Sequence, residues 1–257
     1  MIDLHFHCLP GIDDGPVSWE QAVALCRAAA AEGTTTLVAT PHVLRGTWVN
    51  DEPGVRDRLI LRLNALLAGR PSVLAGCEYF FSSDAVELLE RGRGGPLTGL
   101  NRSRYLLLEF PPGELPPATE SIFHELSLLD VTPVIAHPER NRAFAGDPEK
   151  LERLVARGAA VQITAGSLLG EFGPGPSAAC DEFQRRGLVH LVASDAHSVT
   201  ARPPRLADSR RWVRREWGVD AEVGLFESNP QAVLRSEALP WEGLEKRSVG
   251  GPGHHGD

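Results

Sequence analysis

The chain has 257 residues, 42% of them hydrophobic, and a formal net charge of −8. That length supports one large domain, or two small ones, with a sizeable core. The acidic balance argues against a general nucleic-acid binder, because phosphate backbones favour basic surfaces.

The first apolar run, residues 2–7, is a predicted strand that ends in His5-Phe6-His7. Residues two apart in a strand face the same way, so both imidazoles project together. Neutral imidazole is a common ligand of divalent metals, but alone such a pair is as readily structural. The loop at 10–15 adds Asp13 and Asp14. A helix is predicted over 18–32, where Ser18 precedes Gln21 by three residues in a capping-box pattern and Gly33 ends the run. Strand 36–40 runs into Pro41-His42, helix 55–67 ends near Gly69, strand 73–78 ends at Glu78, and helix 84–90 stops before Gly92. Strand 105–109, helix 119–129 and strand 132–136 follow, the last running into His137-Pro138-Glu139-Arg140. Helix 148–157, strand 160–164, helix 177–186 and strand 189–194 complete the alternation, which ends in Asp195-Ala196-His197. The tail from 241 to 257 is Gly-rich and aperiodic and is expected to be disordered, with His254 and His255 not expected to form a biological metal site.

Repeated strand–helix alternation predicts a parallel α/β sheet, open or closed, with its active site at the C-terminal ends of the strands. At five of the seven predicted strands His, Asp or Glu is singled out at the end, namely His7, His42, Glu78, His137 and Asp195, more than caps explain, and this points to one multinuclear metal site. Imidazole and carboxylate without thiolate suit manganese, iron or zinc in a catalytic role. Adjacent ions can activate a water and clamp a phosphoryl oxygen. Arg140 and Arg202 lie close after these motifs, and guanidinium matches phosphate geometry. Arg142 and Arg205 are weaker candidates for the same work.

Cysteine chemistry is disfavoured. Cys180 and Arg186 have the C-x5-R spacing of cysteine-dependent phosphatases, but the residues between them are bulky, partly acidic and helical in pattern, whereas a phosphate loop needs backbone N–H groups exposed by small residues. Of the 26 Lys and Arg residues only Lys150 and Lys246 are lysine, and neither is at a strand end, so an amidohydrolase with a bridging carbamylated lysine is excluded. An amidohydrolase with a bridging carboxylate stays open. A catalytically dead metal scaffold would have no need of phosphate clamps. The four scattered cysteines, with no CxxC pair, suit a reduced, cytoplasmic chain. No basic region leads into an apolar stretch, so neither a signal peptide nor membrane insertion is expected.

The motifs at 1–7, 11–16, 39–42, 136–142, 162–170 and 193–197 together resemble the PHP (polymerase and histidinol phosphatase) metal-dependent phosphoesterases. Within them they are most similar to the bacterial tyrosine phosphatases of capsular and exopolysaccharide loci, the CpsB/YwqE type. The resemblance runs from residue 1 to about 235. It implies the PHP fold, a distorted TIM-like barrel of seven βα units forming a single domain over 1–240. It also implies three divalent ions, manganese in the cell, with iron or zinc as alternatives. His5, His7, Glu78 and Asp195 would hold one ion, Glu78 would bridge to a second shared with His137, and Asp14, His42 and His197 would hold the third. Asp14 is chosen over its neighbour Asp13. Arg140 and Arg202 would bind phosphate. The implied activity is hydrolysis of phosphotyrosine on the tail of a cognate membrane-associated tyrosine kinase that regulates polysaccharide synthesis, and the alternative is a small-molecule phosphatase of the histidinol-phosphate type. The chain departs from the family pattern at Phe6, at Cys8, which could make the site oxidant-sensitive, and in the loop from Val43 to Trp48, which shapes the mouth.

Overall fold

A computed structural model describes residues 1–90 and 95–240. The tail beyond 240, with Lys246, His254 and His255, lies outside the described residues. Among the described residues there are nine strands: β1 (Ile2–Phe6), β2 (Thr36–Ala39), β3 (His42–Val43), β4 (Ser72–Ala75), β5 (Glu78–Phe80), β6 (Tyr105–Glu109), β7 (Thr132–Ala136), β8 (Ala160–Thr164) and β9 (Leu191–Ala193). Eleven α-helices lie between and after them: α1 (Trp19–Ala31), α2 (Pro53–Leu66), α3 (Ala85–Glu90), α4 (Thr119–Leu128), α5 (Arg142–Ala145), α6 (Pro148–Val155), α7 (Ala165–Leu168), α8 (Pro174–Arg185), α9 (Leu206–Glu216), α10 (Val219–Val223) and α11 (Asn229–Arg235).

Every strand pair is parallel, as the alternation predicts. The strands form a three-stranded sheet ordered β1-β2-β4 and a six-stranded sheet ordered β3-β5-β6-β7-β8-β9. Nine strands replace the seven expected because two runs are interrupted. Pro41, which has no N–H to give a ladder, separates β2 from β3, and Gly76-Cys77 separates β4 from β5. The short continuations β3 and β5 pair with each other, with His42 opposite Glu78. The first and last strands touch at their C-terminal ends, where Asp195 N–H donates to His5 O and His7 N–H to Ala196 O, both at 3.0 Å. Among the described residues no continuous ladder joins the two sheets, so mixed α/β with parallel sheets is the architecture observed.

Side chains alternate between two cores, as strands covered on both faces require. Leu4, Val38, Leu107, Val134, Ala160 and Leu191 pack together on one face. Leu37, Leu106, Ile135, Val161 and Val192 pack on the other, against helices. In β1 the pairing register shifts between Asp3 and Phe6. Leu4 joins the first group and Phe6 the second, although both positions are even, so the shift turns His5 and His7 to the first face.

The helices expected before residue 187 are present within a few residues of their expected bounds. Ser18 accepts the Gln21 N–H at 3.3 Å and Gln21 accepts the Val17 N–H at 3.0 Å, which caps α1 reciprocally. The helices after β9 are not among those expected from sequence, although α9 buries Leu206, Ser209 and Val213 along one face. The buried Glu222 joins α9 to α10 by pairing with Arg210 (2.5 Å) and Arg214 (2.8 Å). Among the described residues, no helix is long and apolar enough to cross a membrane.

Candidate metal centre

The polar residues at the strand ends converge. His5 and His7 leave β1 with their Nε2 atoms 3.1 Å apart. Glu78 opens β5 at the centre of the group. Its Oε1 is 2.9 Å from His137 Nε2 and 3.4 Å from His5 Nε2, and its Oε2 is 2.8 Å from His42 Nδ1 and 3.4 Å from His7 Nε2. Asp195 Oδ1 lies 3.2 Å from His5 Nε2 and 3.5 Å from His7 Nε2. Asp14 Oδ1 lies 3.1 Å from His197 Nε2 and 3.3 Å from His42 Nε2. His137 and Asp195 both adopt left-handed backbone angles (φ 35° and 52°), which a non-glycine residue takes only where the surroundings hold it.

All eight residues named from the sequence fall in this group, in sets whose ligand atoms lie within 4.8 Å of one another: His7, Asp14, His42 and His197; His5, His137 and Asp195; His5, His7 and Glu78. Sequence reading missed a ninth. Glu109 closes β6 and clusters with His42 and Glu78. The signal was available, because Tyr105, Leu107 and Glu109 alternate along one face and the first two pack in the inner core. Asp13 sits one layer back, where its Oδ2 is 2.8 Å from His7 Nδ1. Gly15 permits this turn, since a Cβ there would meet His7 O at 2.8 Å and Asp13 Oδ1 at 3.0 Å.

The donor set fits divalent metal. Glu109 Oε2 is held in an ion pair with Arg45 Nε at 2.6 Å. Glu78 Oε2, His42 Nδ1 and His197 Nε2 are buried with no hydrogen-bond partner, so close pairs such as His42 Nδ1 and Glu78 Oε2 lack hydrogen-bond alignment. Buried polar atoms are rarely left so, and ions would satisfy them together. The electrostatics agree. Burial would lower His5 and His42, but carboxylates outweigh it: Glu78 and Asp195 push His5 up to about 9, while Asp14 and Glu78 push His42 up to about 10. Burial together with Arg140 lowers His137 to about 4, and burial with His7 lowers His197 to about 4. Burial beside Glu78 raises Glu109 to about 7. Burial opposes ionisation of Glu78 and Asp195, yet the charges around them, His5 foremost, hold both well below the usual carboxylate range.

Arg140 and Arg202 edge the centre beside Asp195, and Arg45 edges it beside His42, with Nη1 3.1 Å from His42 Nε2. Arg140, in a 3-10 turn over Pro138–Arg140, reaches Asp195 Oδ2 with Nη1 at 2.5 Å, and Arg202 Nη2 bonds the same oxygen. Arg202 Nε is buried with no hydrogen-bond partner. Arg205 instead pairs with Glu171 at 2.8 Å, and Arg142 lies on α5 beside Gly113. Beside the centre is a cleft of about 350 Å³ whose walls include Pro16, Ala24, Val199 and Ala201 and which opens onto Asp14, His197 and Arg202.

Cys180 is buried within α8, and burial first, then Glu139, drives its thiol well above the usual range. Such a group is no nucleophile. Cys180→Ser is therefore expected to leave turnover within about twofold of wild type, the cost of a hydroxyl in the core falling on stability instead. A loss of turnover with metal still bound would overturn this. Cys8 is buried as well, against Cys26.

Fold and centre define an α/β protein with clustered His, Asp and Glu side chains able to hold metal ions at the ends of parallel strands. Residues 1–235 match the family described as Capsular polysaccharide synthesis, CpsB/CapC, and the chain belongs to that family. It is 35% identical to the tyrosine-protein phosphatase YwqE of Bacillus subtilis (strain 168) over 257 residues, covering 98% of this chain and 99% of that one. It is 30% identical to the tyrosine-protein phosphatase CpsB of Streptococcus pneumoniae, covering 93% and 100%. The structure is similar to the crystal structures of YwqE and CpsB, described as unique metal-dependent tyrosine phosphatases, with a TM-score of 0.88, 36% identity, and 95% of this chain and 100% of that chain covered. An organophosphorus hydrolase from Deinococcus radiodurans shares the fold alone, at a TM-score of 0.56 and 16% identity, with 91% of each chain covered.

Proposed function

We propose that this chain is a metal-dependent protein-tyrosine phosphatase. The observation that carries the reading is the convergence of Arg140 and Arg202 on Asp195, which puts two guanidinium groups at the rim of the metal-type cluster. His5, His7, Asp14, His42, Glu78, His137, Asp195 and His197 would hold three divalent ions, manganese first and iron or zinc as alternatives, with Glu109 as a ninth ligand. When bound, such ions supply Lewis-acid stabilisation of phosphoryl oxygens and acidify a water. The two guanidiniums grip the phosphate and stabilise charge as it builds in the transition state. The cleft beside Asp14, His197 and Arg202 receives the aryl ring. Water adds to phosphorus, the bond to the phenolic oxygen breaks, and the phenolate, whose parent pKa is about 10, leaves with little need of a strong acid. The two sheets, touching where β1 meets β9, form the distorted (β/α)7 barrel that frames the mouth, and residues 1–240 act as a single domain. The substrate is the phosphotyrosine tail of a cognate membrane-associated tyrosine kinase controlling capsule or exopolysaccharide synthesis, met in the cytoplasm.

The test is manganese-dependent turnover of a phosphotyrosine peptide, histidinol phosphate and a simple aryl phosphate, each with a chelator control. Preference for the peptide is expected. Equal rates on all three would remove the tyrosine assignment, and preference for histidinol phosphate would install the small-molecule alternative.

Metal loading also has a proton signature. With folded-state values near 9 and 10, His5 and His42 carry protons at pH 7 and must lose them to act as ligands. Manganese binding at pH 7 is expected to release about two protons and to tighten as pH rises toward 9. Calorimetry in two buffers of different ionisation enthalpy measures this, and zero release would show that His5 and His42 do not give up protons to a metal.

A further inference from the structure

The segment Gln162-Ile163-Thr164-Ala165-Gly166-Ser167 supplies no member of the metal-type clusters, yet it touches both halves of the site. Gln162 is buried in the middle of β8. Its Nε2 donates to Ile163 O at 2.7 Å, which fixes which way the amide points. Oε1 is thereby turned to His5 and accepts from Nδ1 at 2.8 Å. An amide oxygen can only accept, so Nδ1 must carry the proton. The lone pair of a neutral His5 then sits on Nε2, the atom that faces Glu78 and Asp195.

The other end of the segment acts on the arginine turn. Thr164 N–H and Ser167 Oγ–H both donate to Glu139 Oε1, at 3.0 and 2.7 Å. Glu139 is buried and immediately precedes Arg140. Gly166 keeps clear the space for Phe172, since a Cβ there would come within 2.9 Å of that ring. The Arg140 guanidinium lies over the same ring, 4.7 Å from its centroid.

We propose that residues 162–167 are a positioning element that sets the tautomer of His5 through Gln162 and the aim of Arg140 through Ser167 and Glu139. It couples the metal-facing and phosphate-facing groups through one short strand-to-helix segment. The proposal rests on the phosphatase reading of the site for its meaning, but its contacts are this chain's own. The plain alternative is that Gln162 and Ser167 only satisfy buried polar atoms. In that case their loss would change stability and leave metal and anion binding alone.

The two arms separate by measurement. Manganese affinity is read by competition with a chromophoric chelator, and inorganic phosphate binding by calorimetry on the manganese-loaded protein. Gln162→Met removes the acceptor while keeping the side-chain length, and should weaken manganese binding about 10- to 100-fold, the usual effect of losing such a partner. Gln162→Glu keeps an acceptor and should restore most of that affinity. Ser167→Ala should leave manganese binding unchanged and weaken phosphate binding roughly three- to tenfold, the effect of losing one ordinary hydrogen bond. Equal losses in the Met and Glu variants, or none in Gln162→Met, would overturn the role of Gln162. Unchanged phosphate binding in Ser167→Ala would overturn the second arm. Without any substitution, ¹⁵N NMR of the zinc-loaded wild type should show His5 protonated at Nδ1, and protonation at Nε2 would refute the tautomer. All readouts are of binding or protonation. Wild-type protein that binds manganese and phosphate but hydrolyses no phosphotyrosine would defeat the substrate reading and leave the positioning element standing.

Discussion

Replacing Glu78 by glutamine is expected to lower manganese-supported turnover of a phosphotyrosine peptide by about a thousandfold or more, roughly 4 kcal/mol of transition-state stabilisation. The substitution is nearly isosteric, so the effect isolates charge. One carboxylate lies within 3.4 Å of imidazoles from His5, His7, His42 and His137. A glutamine offers these neighbours one oxygen and one NH2 group, and the NH2 end faces groups that are themselves donors when protonated. The bound metal, counted by elemental analysis, should fall with activity. The metal-free protein should also lose stability at neutral pH. The depressed pKa of Glu78 contributes stability that is present above the ordinary carboxylate value and lost as pH falls through the folded one. Full metal content with full activity in Glu78→Gln would show that the centre is not where catalysis occurs.

Arg140→Lys should reduce kcat/KM for the same peptide by about 10²- to 10³-fold while leaving metal content unchanged. Charge alone does not replace the guanidinium. Lysine cannot present two parallel N–H groups to a phosphate, and it loses the planar stacking on Phe172. The fall should appear in kcat as well as KM, because the contact strengthens as the phosphoryl group transfers. A variant with near-normal kcat/KM would move the phosphate clamp to Arg202 alone.

Most of the site was legible because its residues sit at a position the fold defines. A strand can be recognised from its apolar run, and the residue that follows it in a parallel α/β protein lands at the mouth. His5, His7, His42, Glu78, His137, Asp195 and His197 were found that way. Glu109 escaped although it closes its predicted strand as Glu78 closes 73–78; the alternation with Tyr105 and Leu107 marks the face it shares with the inner core. Asp13 and Asp14 could not be separated along the chain. They are neighbours of identical chemistry, and the turn at Gly15 sends one toward His7 Nδ1 and the other toward His42 and His197. The division of the strands into two sheets was likewise hidden, since a hydrogen-bond ladder broken at Pro41 leaves the apolar pattern of residues 36–43 almost intact. The helices from 206 onward escaped because in α9 charged residues outnumber apolar ones: it buries Leu206, Ser209 and Val213, while its arginines pair with acids, as Arg210 does with Glu222.

The clasp of Arg140 and Arg202 on Asp195 has a thermodynamic consequence. The two guanidiniums share one carboxylate of the protein itself, whose single negative charge offsets only half of theirs and stands where an oxyanion could. An ion that draws Asp195 to itself weakens that pairing and leaves the arginines in search of a new anion. Loading should then be ordered and cooperative, metal first and oxyanion second. By reciprocity, a bound oxyanion should tighten the metal by the same factor. Inorganic phosphate titrated with and without manganese would measure that factor, and identical affinities in the two states would show that the carboxylate and the arginines are uncoupled.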